Sequence, residues 1–457
     1  MQKMKNGKKV LSVCLSLAMA AGMLSTSAFA SWNVYGGSNN HNAVVTEAPT
    51  ATDASGLDSY IQLHCTGSGW DGVDNVPVMQ TVSGTTYAYV LYDGYGASGA
   101  LVAKIRCAEN GGSSIVWTTD PYGTEGTSLN AKSGFQLSTP YLDDNGTPND
   151  ASDDTLYVGT ISQYDDYEGG EWLTGTGSKV MALTGLDQNK PTVTNVLTGI
   201  NGQINTPITT DGTYLYFGTW PGGSRAGTYY QVKLSDYSVK TFTPDSYGFY
   251  WAGAVSDGTN VYFGSDNGLL YWRSIADFDT TGGVLDLTDV ASDAGNVRST
   301  VMLDDGYLYF TTQGGYLWCC SYDDGLTVEW HKKLGATSTS TPTKVGDRIY
   351  VGYYSGFNAG GVQCVSADGS SVKTVVEGDG FPVQSSIVVM GDGTGTDYLY
   401  FNTNAQKGVG YCYSYDGTTG SQVWGTTGDT YALGGMAIDN GYAVFGNDYN
   451  HLYVVHD

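Results

Sequence analysis

The chain is short of positive charge. Twenty Lys and Arg stand against 45 Asp and Glu in 457 residues, a formal charge of −25. That shortage excludes a surface that tracks nucleic-acid phosphates and an electrostatic grip on anionic membranes. Histidine is scarcer still, at five residues, and none falls at a metal-ligand spacing. After the first thirty residues no apolar run approaches the ~20 residues that a membrane span needs. There is no Gly-x-Ser-x-Gly elbow and no readable Ser/His/Asp order. The carboxylates are too many and too scattered to single out a glycosidase pair. They sit in turns rather than in blocks, so the excess of acid does not imply disorder.

What is present begins with a leader. Lys3, Lys5, Lys8 and Lys9 precede a mostly apolar stretch over 10–23, and Ala28-Phe29-Ala30 reads as a cleavage site. This predicts a signal peptide over 1–30, cleavage between Ala30 and Ser31, and a secreted or cell-surface protein. Without the four leader lysines, 16 basic residues face 45 acidic ones, a formal charge of −29.

Gly at 65 and Tyr at 36 residues, with little Leu or Lys, mark a β-rich chain. A short Tyr-(Val/Phe)-Gly landmark recurs, as at Tyr157-Val158-Gly159, Tyr216-Phe217-Gly218, Tyr262-Phe263-Gly264, Tyr350-Val351-Gly352 and, degenerate, Val444-Phe445-Gly446. Asp-Gly pairs such as Asp211-Gly212, Asp257-Gly258 and Asp305-Gly306 precede it and supply the positive φ of tight hairpins. Ser138-Thr139-Pro140, Asn205-Thr206-Pro207 and Ser340-Thr341-Pro342 lie further upstream. A period of about 40–70 residues with four short strands per copy predicts an all-β, eight-bladed β-propeller of four-stranded blades. Seven blades is the alternative, should the first two copies, stretched by insertions at 143–154 and 163–177, be miscounted.

The last copy stops one strand short. Residues 60–65, within a leading segment over 31–75 that does not fit the repeat, are expected to supply that strand and close the ring. The repeats occupy 76–457. Six cysteines follow the leader. Cys319, Cys364 and Cys412 share one repeat position, with Ala182 and Ala103 as its earlier occupants, which predicts buried free thiols. Ring closure would bring Cys65 near the first blade and makes Cys65–Cys107 the one disulfide to test.

The run Asp416-Gly417-Thr418-Thr419-Gly420 through Trp424 resembles the repeat of the quinoprotein-like (PQQ-repeat) β-propellers, and the likeness covers nearly all of the chain after the leader. In that family a Trp of each repeat docks on the neighbouring blade, a role the resemblance gives to Trp117, Trp330 and Trp424. Val239 and Val372 replace it in other copies. The resemblance implies one of two functions: a PQQ- and Ca²⁺-dependent alcohol or sugar dehydrogenase, or a scaffold without catalysis. Some dehydrogenases of the family close a ring of adjacent cysteines over the quinone. Here Cys319 and Cys320 fall inside a strand, where neighbours point to opposite faces, so packing is the expected role. Arg106, Arg225, Arg273, Arg298 and Arg348 are few, and no spacing singles one out. PQQ is therefore not expected.

Two loops could hold Ca²⁺ or be plain solvated turns: Asp143, Asp144 and Asn145, and Asp392 with Asp397. Tyr164, Tyr167, Trp172, Trp220 and Trp251 could stack on a sugar or grip a peptide, or fill space between blades. Together these readings predict an exported, non-catalytic propeller that binds or scaffolds an extracellular protein or glycan. The rivals are a PQQ/Ca²⁺ dehydrogenase and a carbohydrate-active propeller. The central funnel discriminates: Arg, Asp and Asn around a flat Trp favour the quinone, paired carboxylates favour glycoside chemistry, and Tyr and Gly alone favour binding.

Overall fold

The computed structural model describes residues 31–63, 72–94, 99–109, 111–120, 126–129, 138–161, 164–168, 171–174, 176–323 and 325–457, with backbone alone at 164–168, 171–174 and 176. Among them the regular elements are strands and short 3-10 turns. Eight antiparallel four-stranded sheets succeed one another along the chain. Their innermost strands are Val78–Val82, Tyr141–Asp143, Thr209–Thr210, Val255–Ser256, Met302–Asp304, Thr343–Val345, Val388–Met390 and Ala437–Asp439, in blades 1 to 8. The fold is an eight-bladed β-propeller. The insertion in blade 2 forms its own two-stranded hairpin, Tyr164–Glu168 with Glu171–Thr174, outside the four-stranded sheet.

The second strand of each blade carries the landmark, and stacking explains its composition. Tyr214–Gly218 and Asn260–Gly264 are buried along most of their length, because a strand between two neighbouring sheets loses water on both faces. The outer strand Thr327–Lys333 alternates exposed and half-buried, as one covered face requires. The landmark glycine makes room for the segment that leads to the next blade. A Cβ on Gly159, Gly218, Gly264, Gly352 or Gly446 would overlap Ile204, Phe249, Val297, Val383 or Val73 respectively. In blades 3 and 4 the landmark tyrosine is buried and donates its hydroxyl to a turn aspartate. Tyr216 reaches Asp211 at 2.8 Å and Tyr262 reaches Asp257 at 2.7 Å. The same aspartates accept backbone N–H groups of their own turns. One side chain thus shapes the hairpin and satisfies a phenol that burial would otherwise strand.

Blade 8 contributes three strands, and Ile61–Gln62 supplies the fourth, antiparallel to His451–Val455, with Ile61 opposite Leu452. The ring is closed by an N-terminal strand, shorter than 60–65. His64 and Cys65 lie outside the described residues, and Cys107 is buried. Tyr60 stacks on His451 with centroids 3.6 Å apart, and His451 Nδ1 lies 2.8 Å from Asp429.

The rest of the leading segment has a second task that its sequence did not announce. It runs along the axis and caps the open edges of the inner strands. Met79 N donates to Trp32 O, Leu142 N to Asn33 O, Leu303 N to Asn40 O and Val389 N to Ala43 O, at 2.7–2.9 Å. The Asn42 amide mimics a strand against Lys344, accepting from its N at 2.8 Å and donating to its O at 2.9 Å. His41 is buried, with Nδ1 2.9 Å from Tyr35 O and Nε2 2.8 Å from Ala254 O. Burial pulls this imidazole toward its neutral form, and the two carbonyls pull the other way. Val44–Val45 then joins blade 7 as a fifth, parallel strand. An inner strand lacks a neighbour on its axial side, so its N–H groups need such partners. Residues 31–45 are an axial plug that touches six blades through these bonds.

Candidate functional site

Each inner strand is preceded by a short segment that approaches the axis. The Ser/Thr-rich tripeptides of the repeat lie here, and hydroxyls in and around them tie one blade to the next. Ser138 Oγ donates to Thr206 O at 2.6 Å, Thr339 Oγ1 to Gln384 O at 3.1 Å and Thr311 Oγ1 to Ser340 O at 2.8 Å. Val76 N and Thr300 N donate to Thr139 Oγ1 and Thr341 Oγ1, both at 3.1 Å. Short side chains that both donate and accept suit a crowded axis, where eight backbones converge.

About three residues, or ~10 Å of strand, separate these segments from the plug. Between them a funnel opens. Its narrow end, about 70 Å³, is lined from every blade, by Asn75, Thr139, Asn205, Trp251, Thr300, Thr339, Ser385 and Gly434 among others, with Tyr35 of the plug as its floor. The Tyr35 hydroxyl lies 3.0 Å from Thr341 Oγ1. The mouth, about 170 Å³, adds Asp74, Tyr250, Arg298, Tyr354, Phe357 and Asp448.

Arg298 is the one cation lining the funnel among the described residues. Its Nε and Nη2 donate to Asp266 Oδ1 and Oδ2 at 2.7 and 2.6 Å, a bidentate pair. Its guanidinium lies 4.3 Å from the ring centroid of Tyr250. Trp251 stands beside Tyr250, 4.8 Å between rings, and Trp220 packs edge-on behind it at 5.2 Å. Trp251 has φ +59°, a left-handed backbone that bulky residues avoid, and such strain collects at functional sites. Asn75 and Asn205 are 3% and 2% exposed. Asn75 Nδ2 donates to Leu91 O at 2.7 Å and Asn205 Nδ2 to Gln203 Oε1 at 3.4 Å. The carbonyl oxygen of each has no hydrogen-bond partner.

The structure gathers some of the residues singled out from sequence and disperses others. Trp251 is in the funnel and Trp220 just behind it. The hairpin bearing Tyr164, Tyr167 and Trp172 leaves blade 2 between its second and third strands, on the funnel face, with Trp172 paired to Tyr167 in backbone register. The acidic loops close on themselves. Asp143 and Asp144 accept from Asn145 N and Gly146 N, and Asp392 accepts from Thr394. Asp397 is fully buried and bonded to Arg348, Tyr350 and Gly393 N. Among the described residues, no three His, Cys, Asp or Glu side chains converge on one point. Trp117 Nε1 reaches Leu186 O of the next blade at 3.4 Å, Trp330 covers Gly369, and Trp424 Nε1 donates to Pro49 O at 2.9 Å.

Cys319, Cys364 and Cys412 lie opposite the landmark tyrosines Tyr309, Tyr350 and Tyr400. Lys104, not Ala103, holds this position in blade 1, opposite Tyr89. Burial pushes the Cys319 and Cys412 thiols up to about 12 and that of Cys364 to about 11, so they stay protonated at neutral pH. Cys320 faces the other way, into the core between blades 4 and 5, while Cys319 packs between blades 5 and 6. Sequence reasoning missed the plug, the Arg298–Asp266 pair and the two buried amides. Only Asn205 carried a signal, through its place in a repeated tripeptide.

No protein-family model matches the chain, and no curated protein matches it in sequence. Solved structures share its fold. BamB from Moraxella catarrhalis is 14% identical with a TM-score of 0.52, over 87% of this chain and 100% of that one. The quinohemoprotein alcohol dehydrogenase from Comamonas testosteroni is 10% identical with a TM-score of 0.60, over 93% and 80%. A europium-containing methanol dehydrogenase is 12% identical with a TM-score of 0.58, over 91% and 89%. At such identities the likeness is one of fold, that of an eight-bladed β-propeller.

Proposed function

We propose that the protein is an exported, non-catalytic β-propeller that binds a ligand in its axial funnel and serves as a binding or scaffolding protein at the cell surface. The observation that carries this reading is the funnel itself. Every blade contributes to its wall, the chain's own plug forms its floor, and two buried amide oxygens in it lack partners. Concave sites with a few convergent polar groups are where ligands bind. The leader over 1–30 supports export.

The absence of catalysis is supported by how the reactive groups are spent. The thiols among the described residues are buried and protonated, His41 is committed to two carbonyls, and Arg298 is closed by Asp266. Arg298, Asp74, Asn75, Asn205 and Trp251 do converge, the set named above as favouring a quinone. Their charge runs against it. A tricarboxylate quinone needs free cations, whereas the one cation lining the funnel among the described residues is paired with Asp266.

The test is thermal unfolding of the leaderless protein, residues 31–457, against PQQ with Ca²⁺, Ca²⁺ alone, and a panel of sugars, carboxylates and amines. A ligand that binds only the folded state at a hundred times its Kd adds about 2.7 kcal/mol, a readable shift. A shift with one member of the panel that Asn205→Leu abolishes is the expected result. A PQQ-dependent shift with dye-linked alcohol oxidation would overturn the non-catalytic reading. No shift with any compound would overturn the funnel as a binding site.

A further inference from the structure

The class of ligand follows from the hydrogen-bond edges of the funnel wall, on the reading that the funnel is a binding site. We propose that the funnel takes the hydroxyls of a neutral sugar, free or at the end of a glycan, and lays the apolar face of that sugar on Trp251.

The narrow end offers acceptors first. Asn75 Oδ1 and Asn205 Oδ1 are buried there without partners. The orientation of Asn75 is fixed, because its Nδ2 must donate to the Leu91 carbonyl at 2.7 Å, so the oxygen is the edge left over. An amide oxygen only accepts, and leaving it buried and unpaired costs free energy that a ligand donor restores. The same wall also holds donors. Ser385 Oγ, likewise buried and without a partner, can donate or accept. The Arg298 guanidinium only donates, and its pair with Asp266 takes up Nε and Nη2 but not Nη1. A wall that mixes acceptors with donors suits a hydroxyl, which donates and accepts through one atom. An ammonium would meet the amides and give the donors nothing to bond. A carboxylate or phosphate would meet the donors and leave the amides as they are.

Size and shape agree with this class. The narrow end, about 70 Å³, has room for roughly five water-sized groups, which is the hydroxyl edge of one sugar ring. The mouth, about 170 Å³, takes the rest of the ring and any chain attached to it. Trp251 lines both spaces and so stands where the polar floor gives way to the open mouth. An indole offers a broad apolar face, and the C–H face of a sugar ring is its apolar counterpart. The φ of +59° at Trp251 is strain retained to hold a ring at that junction.

The experiment is isothermal titration of residues 31–457, the compact unit of the structure, with glucose, galactose, mannose, maltose and lactose. Cyclohexanol, spermidine and citrate are the controls. The expected result is saturable binding of at least one sugar, unchanged by added salt as a neutral ligand requires, with cyclohexanol bound far more weakly. A monosaccharide bound more tightly than either disaccharide would point to a free sugar, and the reverse to the end of a glycan. Asn205→Leu is expected to weaken binding about tenfold or more. Should that variant not fold, Trp251→Gly serves, because glycine relieves the φ of +59° while removing the ring. It should cost about fivefold. Spermidine or citrate bound through Asn205, with no sugar bound, would overturn the proposal and leave the funnel as a site. Cyclohexanol bound as tightly as the sugars would overturn it as well, since the hydroxyls would then count for nothing. Sugar binding indifferent to both Asn205→Leu and Trp251→Gly would place the site elsewhere and sink the proposal. No binding of any probe would overturn the proposal and the reading beneath it together.

Discussion

Asp266 grips Arg298 through two hydrogen bonds of 2.7 and 2.6 Å at the mouth of the funnel. The carboxylate side chain is 4% exposed and rests against this partner. Asp266→Asn would leave the guanidinium without a counter-charge in a poorly solvated site. Breaking one side of such a pair costs about 3–5 kcal/mol; with the Arg298 side chain 21% exposed, the lower end is expected. Urea unfolding of the variant, read as a fall in midpoint at unchanged slope, checks this.

The plug is held by bonds to backbone rather than by bulk alone. Asn42 pairs with both the N–H and the C=O of Lys344. Asn42→Ala should cost about 1–3 kcal/mol, since it leaves an inner-strand N–H and C=O without partners. Amide hydrogen exchange should quicken at Lys344 in this variant and stay slow at Met79 and Leu142, whose acceptors are elsewhere in the plug.

Gly264 and Val297 show why the landmark ends in glycine. Gly264→Ala places a methyl against Val297 and should destabilise by about 1–3 kcal/mol through overpacking. Val297→Ala should also destabilise, by leaving a cavity. The double variant should be more stable than the sum of the two losses predicts, and a double-mutant cycle measures the difference.

Burial raises the carboxyl of Asp154 to about 6, against the hydrogen bond from Gln80. A carboxyl raised above its unfolded value of about 3.9 binds its proton more tightly in the folded chain. Its contribution is full below pH 4 and is lost as pH rises through 6. His41 and His451 are lowered by burial and work in the opposite sense, so the comparison must be with Asp154→Asn. Wild type should gain stability relative to this variant between pH 7.5 and 5. A constant difference in melting temperature across that range would contradict the assignment.

Much of the architecture was legible because it repeats. Tyr-(Val/Phe)-Gly and the Asp-Gly turns recur since the blades meet the same local problem: a hairpin to turn and a neighbour to admit. The short last copy announced a missing strand, which Ile61–Gln62 provides. The funnel was not legible. Asn75, Asn205, Trp251 and Arg298 lie far apart in the chain, in connections of different length, and meet only because eight inner strands start at one axis.

Local pattern by itself determined strand, turn and blade and favoured eight blades over seven, since these depend on side-chain period and on residues a few positions apart. Only the tertiary structure decided that residues 31–45 fill the axis, that Asp266 cancels Arg298, and that two buried amide oxygens stand without partners. Those facts depend on charges and hydrogen-bond edges brought together across the ring, and no spacing along the chain encodes them.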